Sequence, residues 1–164
     1  MGRARRGIEL SIADLDLALG HAQRLLLDSS TLIAFHNERE RAHPLAAHLL
    51  GRIADNGDPL RGYYSAVSAS ELLVRPIRTG SREFTFMHSF LTGHPNLTIL
   101  PVDLLVAIQA ATLRSATNLR LPDAFIVACG LLAGCEVIVS NDARWRQVQP
   151  LFRQFRWLYL SDHL

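Results

Sequence analysis

The sequence predicts an α/β protein built on a five-stranded, mostly parallel sheet. Short apolar segments alternate with longer segments of helical periodicity along most of the chain. The apolar segments lack polar alternation, which marks strands buried on both faces. The chain has 164 residues and 49% apolar side chains. That is enough for one domain with a real core.

The elements follow in order. Residues 1–7 read as a disordered basic tip. Ser11-Ile12-Ala13-Asp14 resembles a capping box, with Ile12, Leu15 and Leu19 at helical spacing, so a short helix is predicted over 11–20. Residues 1–23 form an N-terminal extension, and 24–164 form the main domain. Arg24 to Asp28 is a buried strand, and a helix starts at Ser29 or Ser30. Pro44 to Asp55 is a helix with Leu45, Leu49, Leu50 and Ile53 on its apolar face. Asn56-Gly57-Asp58-Pro59 is a turn. Tyr63 to Val67 is a second strand. Ser68 opens a helix that Pro76 ends. Ser81 to Leu91 is a helix stopped at Gly93-His94-Pro95, and Leu97 to Val102 is a third strand. Asp103 caps a helix running to about Thr117. Pro122 sits in the first turn of a helix reaching about Ala133. Val137 to Val139 and Phe155 to Leu160 complete the sheet.

Composition removes several function classes. The net charge of +2 permits a polyanionic partner without requiring one. All 17 basic side chains are arginine, so any mechanism that needs a lysine is excluded. Cys129 and Cys135 lie in an apolar stretch outside any CxxC pair and read as reduced core thiols. The histidines form no HExxH or CxxC…HxxxH pattern, which argues against zinc. The longest apolar run, Ala124 to Val139, contains Glu136 and falls short of the ~18 residues that span a bilayer. No apolar stretch follows the basic start, as a secretion signal would require. A cytoplasmic protein without membrane contact is expected.

The segment Leu25 to Phe35, LLLDSSTLIAF, breaks an apolar run with Asp28. A buried carboxylate needs a helix end, a cation or solvent as partner. Three further acids fall at comparable places. Glu71 follows the second strand, Asp123 starts the helix before the fourth strand, and Asp142 follows that strand. In an open α/β sheet the three acids that follow strands gather beyond the carboxyl ends, and Asp123 joins them if its helix starts on that side. Each acid also has a purely structural reading. Glu71 completes a capping box with Ser68, Asp123 favours a helix dipole, and Asp28 and Asp142 are turn or cap residues. Taken together, mutual repulsion favours a hard divalent cation, Mg²⁺ or Mn²⁺, between them.

At these residues the sequence resembles the PIN-domain family, especially VapC-type toxin ribonucleases. The matching segments are LLLDSSTLIAF with Asp28, SASELLVRP with Glu71, RLPDAFIVA with Asp123 and VSNDARW with Asp142. The resemblance covers roughly residues 24–160, and LPDAFIVA followed by SND is its most specific part. It implies a PIN-like three-layer fold and Mg²⁺- or Mn²⁺-dependent cleavage of RNA phosphodiesters. It also implies the role of toxin in a type II toxin–antitoxin pair, with a cognate antitoxin and a homodimer as assemblies. By carry-over, Asp28 and Asp123 are the direct metal ligands. Glu71 and Asp142 act directly or through water, and Ser29, Ser140 and Asn141 support them. The competing reading is a catalytically idle PIN-like module that binds RNA or a protein.

Arg75, Arg120, Arg144 and Arg146 lie close in sequence to the acids and are candidates for RNA phosphate contacts. Trp145 reads as a core anchor, with base stacking as its competing role. Phe84, Phe86, Met87 and Phe90 crowd one helical segment and cannot all face one core, so an apolar contact surface is expected there. Other folds with an aspartate after the first strand fit worse. A haloacid-dehalogenase-type phosphatase needs a second aspartate at the place of Ser30. A receiver domain needs a lysine. A dinucleotide-binding domain needs GxGxxG, which DSSTLIA does not supply.

Overall fold

A computed structural model describes residues 2–164, with the side chains of residues 8, 9 and 11–164. The elements run α1 (Gly2–Leu19), β1 (Arg24–Leu27), α2 (Ser29–His36), α3 (His43–Ala54), β2 (Arg61–Ser65), α4 (Ala66–Thr79), α5 (Ser81–Gly93), β3 (Leu97–Leu100), α6 (Leu104–Ala116), α7 (Leu121–Leu132), β4 (Val137–Ser140) and β5 (Arg156–Tyr159). All five strands pair in parallel, in the order β3-β2-β1-β4-β5. The chain builds outward from β1 to one edge, then returns to build the other half. The strand order therefore reverses between β1 and β4, where such sheets open a crevice at their carboxyl ends.

Three layers follow from the side-chain alternation of the central strands. Leu25 and Leu27 of β1 join Val137 and Val139 of β4 in a core shared with α1, α3 and α5. Leu26 and Ile138 point the other way, into a core shared with α6 and α7. Both faces of β1 and β4 are buried, which is why they read as unbroken apolar runs.

Several boundaries differ from those expected, each for a local reason. Strand β2 begins and ends two residues early. Arg61 pairs with Arg24 at its start, and Ser65 caps α4 at its end, its Oγ accepting the Ser68 N–H at 3.1 Å. The apolar residues Ala66 and Val67 therefore open a helix whose buried positions are Ser68, Ala69, Leu72 and Pro76. Pro76 does not stop this helix, which continues to Thr79. A proline so near the end forfeits only one late hydrogen bond, and Gly80, at φ 141°, makes the actual stop. At the N-terminus, α1 starts at Gly2 where a disordered tip was expected. Met1 and the side chains of residues 1–7 and 10 lie outside the described set. Leu15 and Leu19 of α1 are fully buried, and Asp16 accepts hydrogen bonds from His48 at 2.8 Å and Arg52 at 2.9 Å on α3. No helix among the described residues is long and apolar enough to cross a membrane.

Helix α7 reaches the sheet through Gly130. A Cβ there would stand 2.6 Å from Leu26 Cδ2 and 3.3 Å from Phe155 Cζ, both fully or nearly buried. This close approach sets how deep α7, which carries Asp123, lies against β1. Gly130→Val should lower the unfolding free energy by about 1–3 kcal/mol through overpacking. Urea denaturation checks this, and an unchanged midpoint would show that α7 is free to lift.

Candidate active site

Asp28 ends the apolar run of β1. Its backbone N–H continues the ladder, donating to Val139 O at 3.0 Å. It stands at the N-cap of α2, yet its side chain caps nothing. Only 4% of the residue is exposed. Three donors converge on one oxygen, Oδ2: the hydroxyls of Ser30 at 2.8 Å and Ser140 at 3.0 Å, and the indole N–H of Trp145 at 3.3 Å. Each hydroxyl also accepts a backbone N–H, Ser30 from Asn141 at 2.8 Å and Ser140 from Asp142 at 3.0 Å. With both protons given to Asp28, the 3.2 Å contact between the two hydroxyls carries no proton of its own. The other carboxylate oxygen, Oδ1, accepts no hydrogen bond among the described residues.

Asp123 lies in the first turn of α7, preceded by Arg120. The Arg120 guanidinium grips it with both prongs, Nε to Oδ2 at 2.9 Å and Nη2 to Oδ1 at 3.2 Å. Asp142 follows β4 and caps the short turn after it, accepting the Arg144 N–H at 2.9 Å. The Arg144 guanidinium also holds it, with Nε at 2.7 Å from Oδ2. That contact keeps the Asp142 carboxyl below its usual range. Glu71 sits inside α4 and is exposed. Since Ser65 is the N-cap, Glu71 is too far along the helix to close a capping box, so that reading falls.

Asp28, Glu71, Asp123 and Asp142 line one cavity of about 240 Å³, with Ser29, Ser30, Arg120, Arg144 and Trp145. Four different elements thus bring the four acids to one edge of the sheet. As the side chains stand, no three His, Cys, Asp or Glu groups among the described residues come close enough to grip one metal ion. The repulsion expected from four gathered acids is met here by the protein's own guanidiniums, which occupy Asp123 and Asp142. A divalent cation is therefore not forced by charge alone. The donor set nonetheless fits one. Asp28 is fixed through one oxygen and turns the other to the cavity, and the remaining partners are exposed arginines that can leave.

The supporting residues divide unevenly. Ser140 contacts Asp28 directly. Asn141 enters through its backbone N–H alone. Ser29 lines the cavity and makes no side-chain hydrogen bond among the described residues, while the neighbouring Ser30 does the holding. Nothing in the segment DSS distinguishes the two serines beforehand; only the turn of α2 does. Trp145 is 5% exposed, so its ring is a core anchor and does not stack on a base. Its N–H on Asp28 was not foreseen. Arg146 is held by Asp162 and lies 4.1 Å over the Tyr159 ring, away from the cavity. Arg75 lines a neighbouring groove of about 590 Å³ with Ile33, His36, Glu71, Phe86 and Met87. This groove joins the cavity through Ile33 and Glu71. On α5, Met87 is buried and Phe90 packs against the core, while Phe86 is 65% exposed. Burial pushes the Cys129 thiol up to about 11 and Cys135 up to about 12, so both are inert core thiols.

A family model for the PIN domain matches residues 25–150. The chain belongs to the PIN-domain family. The matched span of this PIN domain contains all four acids. Its fold is similar to VapC20 of Mycobacterium tuberculosis, described as a sarcin-ricin loop cleaving toxin. They share 18% identity over 76% of this chain and 94% of that one, at a TM-score of 0.58. It is also similar to VapBC2 of Rickettsia felis bound to a promoter DNA fragment, with 13% identity over 84% and 98%, and a TM-score of 0.60. A toxin–antitoxin complex from Klebsiella pneumoniae matches with 20% identity over 73% and 88%, at 0.56. The sequence matches none of the curated proteins.

Beside the PIN cavity, the His36 ring stands edge-on to Phe86 and Phe90, and its Nε2 is buried without a partner among the described residues. Burial lowers its pKa from 6.5 to about 4, with His94 and His43 adding to the effect. Below pH 6.5 the unfolded chain takes up a proton that the folded chain refuses. Stability is then full above 6.5 and falls as pH drops toward 4. Between pH 7 and 5 this amounts to at most about 2 kcal/mol. His36→Phe should flatten the pH dependence of the unfolding free energy in that window. An identical slope in the variant would place the titration elsewhere.

Proposed function

We propose that this PIN domain is a metal-dependent endoribonuclease, acting in the cytoplasm as the toxin of a toxin–antitoxin pair. The observation that carries the reading is the meeting of Asp28, Glu71, Asp123 and Asp142 in one cavity. The similar structures are VapC and VapBC proteins, which supports the toxin role and an antitoxin partner.

Asp28 and Asp123 would hold a Mg²⁺ or Mn²⁺ ion, with Glu71 and Asp142 contributing directly or through water. When bound, such an ion would supply positive charge against the scissile phosphate and lower the pKa of a water so that it can attack as hydroxide. Asp28 contributes a preset geometry, since three donors fix its Oδ2 while Oδ1 faces the cavity. Glu71, exposed on the cavity wall, orients the attacking water and accepts its proton. Arg120 and Arg144, 62% and 70% exposed, reach RNA phosphates from the rim. Attack by that water in line on phosphorus would break the bond to the departing ribose oxygen, which would take its proton from solvent. The apolar groove beside the cavity, with Phe86 exposed on its wall, accepts an antitoxin segment, and the toxin works as a homodimer.

The idle-module reading draws on the occupied state of Asp123 and Asp142, and assays of metal-dependent cleavage separate the two. Asp28→Asn should reduce Mn²⁺-dependent RNA cleavage by orders of magnitude, with the folded state retained in circular dichroism. Cleavage at the wild-type rate would sink the metal model.

Glu71 gives an independent test, because capping no longer competes for its role. Glu71→Gln should lower activity roughly ten- to a hundredfold, the range for groups that orient a metal's ligands. Its melting temperature should stay within a degree or two of wild type, since an exposed mid-helix site makes little stability difference. Raising Mn²⁺ should restore part of the rate. Full activity at low Mn²⁺ would leave a three-acid site.

A further inference from the structure

The Arg120–Asp123 and Arg144–Asp142 pairs have an unusual place. They line the cavity of about 240 Å³ that holds Asp28 and Glu71. They also line a second cavity of about 350 Å³, with Asn118, Gln147 and Val148. The two ion pairs, with Trp145, are shared by both cavities, the acidic one termed the inner chamber and the second the outer chamber. The outer chamber contains no carboxylate except Asp123 and Asp142 themselves.

We propose that Arg120 and Arg144 are exchangeable counter-ions. They neutralise Asp123 and Asp142 until a divalent cation takes those carboxylates, and they then turn to RNA phosphates in the outer chamber. The inference rests on the metal-dependent ribonuclease reading and adds a coupling that reading does not contain. Both oxygens of each carboxylate are engaged by guanidinium, so a cation that approaches them meets a positive charge and fewer free lone pairs while the arginines stay. The asymmetry of exposure allows the exchange. Asp123 and Asp142 are 19% and 21% exposed, against 62% and 70% for their arginines. The carboxylates are anchored and the guanidiniums are tethered on the water side. Each pair spans two or three residues of sequence, so an arginine that lets go remains within reach. Asn118 and Gln147 add amide groups that can hydrogen-bond a phosphate or a base edge in the outer chamber.

The exchange has a thermodynamic consequence. A guanidinium freed by the cation is available to phosphate, and one held by phosphate leaves its carboxylate to the cation. RNA and cation should therefore each strengthen binding of the other by the same factor. Without RNA the protein should hold its cation weakly, because the arginines compete.

The test is a Mn²⁺ titration of the full chain, read from the electron paramagnetic resonance of the free ion, with Arg120→Gln, Arg144→Gln and the double variant. Arg146→Gln is the control. It removes the same charge nearby, from a side chain engaged by Asp162 and Tyr159. Arg120→Gln and Arg144→Gln should each tighten Mn²⁺ binding about two- to fivefold, the scale of an exposed charge pair, and the double variant should exceed either. The control should match wild type. The double variant should also show a raised KM for single-stranded RNA. A residue that merely positioned its carboxylate would weaken both ligands together. Equal or weaker Mn²⁺ binding in the variants overturns the exchange while leaving the metal reading standing. Tighter Mn²⁺ with an unchanged KM overturns the transfer to RNA. No Mn²⁺ binding in wild type or in the double variant overturns the exchange and the metal reading alike.

Discussion

The carboxylate of Asp28 sits at the end of β1 with almost no solvent, and an uncompensated charge there would be very costly. Its compensation organises the surrounding chain. Ser30 comes from the first turn of α2, Ser140 from the last position of β4 and Trp145 from the turn that follows. Each is fixed in place by satisfying the same oxygen. Their hydroxyls in turn accept the N–H groups of Asn141 and Asp142, which stitches the loop after β4 to the start of α2. Removing the Ser30 or Ser140 hydroxyl leaves the N–H of Asn141 or Asp142 without its side-chain acceptor, which costs more than the bond itself is worth.

That network explains why only one oxygen of Asp28 is spent on structure. A cap residue would have turned its carboxylate onto the helix N–H groups. Asp28 occupies the cap position and does not do so, and its free oxygen faces a cavity lined by three more acids. The acids around it are treated differently. Asp123 and Asp142 are balanced by exposed arginines a few residues away, whereas Glu71 has no ion-pair partner among the described residues. The site combines one carboxylate fixed by buried donors with two paired to exposed arginines.

The sheet order makes this meeting possible. With β1 between β2 and β4, the carboxyl ends of the central strands face the same crevice, and α7 enters from the same side. The close contact at Gly130 fixes the depth of α7. On the opposite face, α1 is part of the same body, since Leu15 and Leu19 fill the core beneath α3. The groove between α2, α4 and α5 runs directly into the cavity. Any segment that fills it lies beside Glu71.

Much of this was legible in the sequence because its causes are local. Unbroken apolar strands, capping residues and turn signals specify an α/β fold, and acids placed just after strands specify an edge where they collect. The boundaries of β2 and α4 were misread because Ala66 and Val67 suit either element, and only the cap at Ser65 decides. Whether Ser29 or Ser30 holds Asp28, that Trp145 donates to it, and that Arg146 turns away to Asp162 depend on side-chain directions that no periodicity encodes. The sequence by itself determined which acids exist and where along each element they stand. The tertiary structure alone decided that they share one cavity and that Asp28 is held by Ser30, Ser140 and Trp145, because distances between elements fall into place only when the sheet has formed.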